Sequence, residues 1–216
     1  MLCNNKMLKI ILGILLFSHA LFAKEYVLSS STLNACKNDE RCKNILKHYE
    51  NFMNKIKSEN FTRKVELVND YINTMMPRYD DFYNTNIDIW STRAQFLQTG
   101  GGDCEEYAIS KKESLKDLGI TNDHCLLVVK EKFSGGYHMV LALWENLKKE
   151  PLILDNLSFK VLPLSNRYDL EPKYCLKDEK YYKIAKDGKS LEPLNIRIEA
   201  YEKLIEKEKR ENFWKR

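Results

Sequence analysis

Cys104 follows three glycines and an aspartate in the run Gly100-Gly101-Gly102-Asp103-Cys104-Glu105-Glu106. Glycines adopt backbone conformations closed to other residues and let a substrate approach the main chain closely. Asp103 is a natural N-cap, and Glu106 three residues on completes a capping box. A helix is therefore expected to start at Cys104 and end near Leu118, with Gly119 at its C-terminal turn. A thiol in the first turn of a helix meets free N–H groups and the positive end of the dipole, which favour the reactive thiolate. The same N–H groups suit a developing oxyanion. The chemistry on offer is attack by sulfur on a carbonyl. The plain alternative is a structural cysteine after a flexible turn.

A sulfur nucleophile needs a base, and the base needs a group to orient it. His48 falls on the polar face of an expected helix, and His124 sits at a strand edge beside Cys125, where a structural role is expected. His138 interrupts an apolar run just after Ser134-Gly135-Gly136, where an imidazole is costly without a partner. Asp155 ends the next apolar run. A hairpin centred between Asn146 and Leu147 sets 155 opposite 138, within reach of a carboxylate–imidazole hydrogen bond that fixes the tautomer. The competing reading is a buried His–Asp pair that only holds the hairpin, and a slip of one residue would put the two on opposite faces.

The elements that must position these groups fall in two blocks. Helical spacing of Ile45, Leu46, Tyr49, Phe52, Met53 and Ile56 predicts a helix over 41–57. Val65, Val68, Tyr71, Ile72 and Met75 predict a second, capped by Thr62 and stopping before Pro77. Residues 24–40 read as a polar loop and 77–91 as irregular. Thr92 and Gln95 form a capping box for a short helix ending near Gln98. Strands are then expected at 125–129, 137–144 and 152–155, the middle one apolar on both faces and so buried on both sides. Beyond 160 the signals weaken until Ile198, Tyr201, Leu204 and Ile205, which suggest a C-terminal helix. Helices first and sheet later indicate α+β, with N-terminal helices packed on an antiparallel sheet.

Of 216 residues, 44% are hydrophobic and 31% charged, which fits a folded globular chain and excludes a disordered one. The formal charge of +4 is spread through interleaved acids and bases, so nothing calls for a nucleic-acid partner. Residues 1–23 carry Lys6 and Lys9, an apolar run and a small-residue site ending at Ala23. They read as a signal peptide, which leaves 24–216 as a single exported domain. The rival reading is an uncleaved membrane anchor. Of the six cysteines, Cys3 would leave with that segment and an odd number would remain. In an oxidising compartment Cys36 with Cys42 and Cys125 with Cys175 are candidate pairs, and a leftover thiol needs a reason.

Trp90-Ser91-Thr92, Phe96-Leu97, the run 100–108, Tyr137-His138-Met139-Val140-Leu141 and residues 150–157 together resemble the bacterial transglutaminase-like cysteine peptidases. The match covers about residues 88–160. The resemblance implies a papain-like, transglutaminase-like core with Cys104 as nucleophile, His138 as base and Asp155 as orienting acid. It also implies Ca²⁺ held by Asp103 and Glu105, for which the plain reading is helix-start acids favoured by the dipole. It implies a periplasmic endopeptidase that cuts a large surface adhesin near its N-terminus and so controls biofilm release. An inhibitory inner-membrane receptor is a candidate partner. Arg93 stands where the family commonly has proline, Gln95 where glutamate is usual and Glu106 where aspartate is usual. Two other functions fit the residues: acyl transfer to an amine through the same thioester, as in a true transglutaminase, and a non-catalytic exported binding module.

Overall fold

The computed structural model describes residues 25–78, 89–121, 123–185 and 190–215. The expected signal peptide lies outside them, as does most of the stretch read as irregular. Among the described residues no helix is long and apolar enough to cross a membrane.

The helical block comes first. A short helix α1, Ser30–Asn34, interrupts the stretch expected to be loop, with Ser29 accepting from the Thr32 N–H at its start. Helix α2, Glu40–Ile56, is capped by Asp39 and buries Leu46, Tyr49, Met53 and Ile56 at the predicted spacing. Helix α3, Phe61–Asn73, buries Val65, Val68 and Ile72. Its cap is Asn60, which accepts from the Arg63 N–H at 3.0 Å, and not Thr62. Asparagine is the stronger N-cap, and starting there places Phe61 in the first turn. Helix α4, Arg93–Thr99, begins with the Thr92/Gln95 capping box and ends at Gly100, whose φ of 79° is the left-handed conformation glycine tolerates. Helix α5, Cys104–Asp117, follows directly, and α6, Glu199–Arg210, is the expected C-terminal helix.

Two short strands, β1 (Met76–Pro77) and β2 (Gly101–Gly102), pair in parallel beside the start of α5. The main sheet is antiparallel and contains β3 (His124–Glu131), β4 (Tyr137–Leu143), β5 (Leu152–Asp155), β6 (Ser158–Pro163), β7 (Leu170–Lys177), β8 (Lys180–Ile184) and β9 (Leu191–Leu194). Their order is β6-β5-β4-β3-β7-β8-β9. One face carries Leu126, Val128, Met139, Leu141, Leu143 and Leu154 into a core shared with the helices. The other buries Leu127, Val129, Val140, Ala142, Trp144 and Ile153. Burial on both sides is why β3 and β4 read as unbroken apolar runs. The mixed helix and antiparallel-sheet class is the one expected.

Cys36–Cys42 closes the connection between α1 and α2, and Cys125–Cys175 joins β3 to β7. Cys104 is the free cysteine among the described residues. Thiol titration of unfolded, unreduced protein spanning 24–216 should accordingly find about one group by this pairing. A count of five would show the other four to be buried but reduced.

Candidate active site

The three glycines serve different needs. Gly100 ends α4 with a positive φ. At Gly101 an added Cβ would lie 1.7 Å from the Met76 carbonyl oxygen, so the pairing of β2 with β1 tolerates no side chain there. At Gly102 an added Cβ would sit 2.7 Å from Cβ of Glu106. The loop before Cys104 is thus clamped on one side by β1, where the Arg78 N–H donates to the Gly102 carbonyl at 2.8 Å. On the other side it meets the first turn of α5.

Glu106 locks that turn. Its Oε2 accepts from the Asp103 N–H at 3.0 Å and its Oε1 from the Ser91 N–H at 2.8 Å. The capping box read from sequence therefore also ties in the segment beside Trp90. Burial, then the neighbouring Asp103, push the Glu106 carboxyl up to about 8. Ligand oxygens of Asp103, Glu105 and Glu106 all lie within 4.8 Å of one another. Three carboxylates so close repel unless a proton or a cation is shared among them.

Cys104 is half-buried in the first turn, with Sγ 3.1 Å from Oε2 of Glu105. Burial pushes its thiol strongly up, Glu105 adds to this, and the Met139 backbone N–H opposes it. The helix dipole favours the thiolate, but desolvation and the adjacent carboxylate outweigh it.

His138 and Asp155 meet as expected, by a different register. The pairs Leu141↔Leu154, Ala142↔Ile153 and Leu143↔Leu152 place the hairpin two residues away from the one that sets 138 opposite 155. Strand β4 stops at Leu143, and the Trp144 N–H continues the β3–β4 pairing by donating to the Asp123 carbonyl at 2.9 Å. A shift of two keeps the faces, so His138 and Asp155 become diagonal neighbours, which an imidazole can span. His138 Nε2 lies 2.8 Å from Asp155 Oδ1, and both side chains are buried. Oδ1 also accepts from the Leu157 N–H at 2.9 Å, and Oδ2 accepts from Arg167 Nη2 at 2.7 Å. Burial alone would raise the Asp155 carboxyl, but the bonds from His138, Leu157 and Arg167 hold it well below the usual carboxylate range.

Cys104, Glu105 and His138 line one cavity of about 220 Å³, with Trp90, Val128 and Met139 and the rings of Tyr137 and Tyr174. Trp90 is both core and cavity wall, since it is buried and packs near Tyr201. Of the other histidines, His48 is exposed on α2 and His124 lines a separate cavity beside Lys112 and Lys177. Two charged residues beside the site were not legible as part of it. Arg167 has no motif around it. Lys111 does carry a signal, since its spacing from Cys104, Ala108 and Leu115 puts a charge on the buried face of α5. Its ammonium is fully buried with no hydrogen-bond partner among the described residues, and burial lowers its pKa to about 7 against the pull of Asp155 and Asp70.

The description of the bacterial transglutaminase-like cysteine proteinases, BTLCP, matches residues 31–180. The chain belongs to this family. It is a bacterial transglutaminase-like cysteine peptidase. Calcium-bound LapG of Legionella pneumophila has the same fold, with a TM-score of 0.70 at 24% identity over 82% of this chain and 97% of LapG. The EGTA-treated form of LapG gives 0.71 at 25% identity over 84% and 98%. No curated protein matches the chain. Arg93, where the family commonly has proline, is buried in this member. It pairs with Asp117 and lies 4.0 Å from the centre of the Phe213 ring, tying α4 to the C-terminal segment.

Proposed function

We propose that this cysteine peptidase is an exported, calcium-dependent endopeptidase that cuts a large surface adhesin near its N-terminus, and that residues 24–216 act as its one domain. The observation that carries the reading is a half-buried thiol on a helix start lining the same cavity as a buried His138–Asp155 pair bonded at 2.8 Å. Nucleophile, base and orienting acid are the parts acyl transfer needs. In this reading His138 takes the Cys104 proton as sulfur adds to the peptide carbonyl, and N–H groups at the start of α5 hold the oxyanion. His138 then gives that proton to the leaving amine as the C–N bond breaks. Water adds to the thioester, its proton passing through His138 to the departing sulfur.

Asp103 and Glu105 are the residues that would hold calcium, and their all-oxygen donor set fits a hard cation. Both oxygens of Glu106 already accept backbone N–H bonds, so Glu106 shapes the site. When bound, the ion supplies positive charge beside the thiol. Export is supported by the signal-like residues 1–23 and by two disulfides.

The test is incubation of purified protein with the N-terminal region of a giant adhesin encoded beside it, with a labelled primary amine present. Discrete cleavage without label in the product supports hydrolysis. Label on a glutamine makes it a transglutaminase, and neither outcome makes it a binding module.

A further inference from the structure

Arg167 follows a 3₁₀ turn at Leu164–Asn166 and is buried, far from the surface position usual for its type. Its Nη2 bonds Asp155 Oδ2 at 2.7 Å and Asp169 Oδ2 at 2.7 Å, and its Nε bonds Asp169 Oδ1 at 3.0 Å. Its Nη1 is buried with no hydrogen-bond partner among the described residues. A buried guanidinium satisfied on only part of its fork is a poor device for stability, because desolvation offsets much of what the pairing contributes. What the arrangement does achieve is geometric. Asp155 has one oxygen committed to His138 and Leu157, and Arg167 pins the other. Asp169 is partly exposed and grips Arg167 from outside. The result is a line of alternating charge, His138–Asp155–Arg167–Asp169, running from the cavity to the surface.

We infer that Arg167 is a positioning residue for the His138–Asp155 pair: it fixes the Asp155 carboxylate in the rotamer that faces His138. The inference rests on the peptidase reading above, in which His138 is the base. The other charged or titratable groups beside the pair are Cys104 and Glu105 from α5, Tyr137 from β4 and Tyr174 from β7, which share the cavity with His138, and Lys111 from α5, which feels Asp155. Among the described residues, His138 and Arg167 are the side chains that hydrogen-bond the Asp155 carboxylate.

Arg167→Met frees Oδ2 while Leu157 and His138 still hold Oδ1, so the carboxylate gains freedom to turn away from the imidazole. The resonance of the His138 ring N–H that faces Asp155 should broaden or vanish, and kcat should fall about tenfold, with KM unchanged, from lost orientation. Arg167→Lys keeps the charge without the fork, so it should show the same two effects in part. Asp169→Asn loosens the outer grip on Arg167 and should act in the same direction as Arg167→Met, more weakly.

The ring N–H resonance is read by NMR on the chain from residue 24, assigned by its loss in His138→Gln, beside kcat and KM for adhesin cleavage. Broadening in Arg167→Met, with kcat lowered and KM unchanged, supports the inference. A resonance as sharp as wild type in that variant overturns it. If Arg167→Met does not fold, Asp169→Asn decides alone by whether the resonance broadens. Because the resonance needs no substrate, a wild-type protein that fails to cut would sink the peptidase reading and leave this test intact.

Discussion

Cys104→Ala should abolish cleavage, lowering kcat by roughly 10⁴-fold or more while leaving the fold and melting temperature close to wild type. Cys104 is half-buried, and its sulfur bonds Glu105 and a main-chain N–H, so its removal strands no buried charge network. His138→Ala should be as severe, because without the imidazole nothing takes the thiol proton, and that thiol is held strongly protonated by burial and Glu105. Asp155 needs a gentler substitution. Asp155→Ala would leave His138 and Arg167 without their shared partner and cost stability as well as rate. Asp155→Asn keeps the shape and should still lose roughly 10³–10⁴-fold. The groups act as a unit, so combining all three substitutions should lose little beyond Cys104→Ala alone. Cleavage of the adhesin fragment, with circular dichroism as the folding control, checks this. Full activity in Cys104→Ala would end the mechanism.

The second large effect is expected from removing calcium. Asp103, Glu105 and Glu106 crowd their oxygens within 4.8 Å at the base of the helix that carries Cys104, and Glu105 Oε2 also accepts from the Cys104 thiol at 3.1 Å. With Glu105 turned to the sulfur, the thiolate is disfavoured. With Glu105 ligating a cation, that repulsion is cancelled. Excess chelator should therefore stop cleavage, and restored calcium should recover it where magnesium does not, since magnesium asks for a tighter octahedral shell. Asp103→Ala should imitate the chelator without touching Cys104, His138 or Asp155. Glu105→Gln separates the two roles of this carboxylate. If Glu105 only suppresses the thiol, the variant gains activity. If it is a ligand, cleavage falls and no longer responds to chelator. Undiminished wild-type cleavage in excess chelator would reduce these acids to helix caps.

Features decided by near neighbours in the chain were legible in the sequence. The Thr92/Gln95 box and the Asp103 cap with Glu106 behind it are i to i+3 relations, and they stand where the residues put them. Asn60 and Thr62 are both residue types that cap helices, so local pattern does not choose between them, and the cap is Asn60 rather than the expected Thr62. The faces of β4 and β5 were legible because alternation has period two, whereas their register depends on the path of the connection from 144 to 151, which alternation does not encode. Strands β6, β8 and β9 escaped because their apolar residues are sparse and often exposed, as at Phe159, and β7 because Pro172 and charged residues interrupt its buried Leu170, Cys175 and Leu176. Arg167 escaped for a different reason: a lone arginine in a connection becomes part of a site only through a carboxylate 12 residues away. The state of the Cys104 thiol depended on burial, which a helix-start pattern does not reveal.

The Cys125–Cys175 bridge closes a loop of 50 residues, and His138, Asp155 and Arg167 all lie inside it while Cys104 lies outside. By loop-closure entropy such a bond disfavours the unfolded chain by about 4 kcal/mol. Both its sulfurs belong to fully buried residues on the sheet face away from the helices, whereas Cys104 opens to the cavity. Thiol–disulfide exchange requires direct access to a sulfur. A mild reducing agent should therefore regenerate an oxidised or glutathione-capped Cys104 in the folded protein and leave the bridge untouched. The covalent bond that confines His138, Asp155 and Arg167 and the free thiol of Cys104 can thus coexist in one oxidising compartment, kept apart by solvent access.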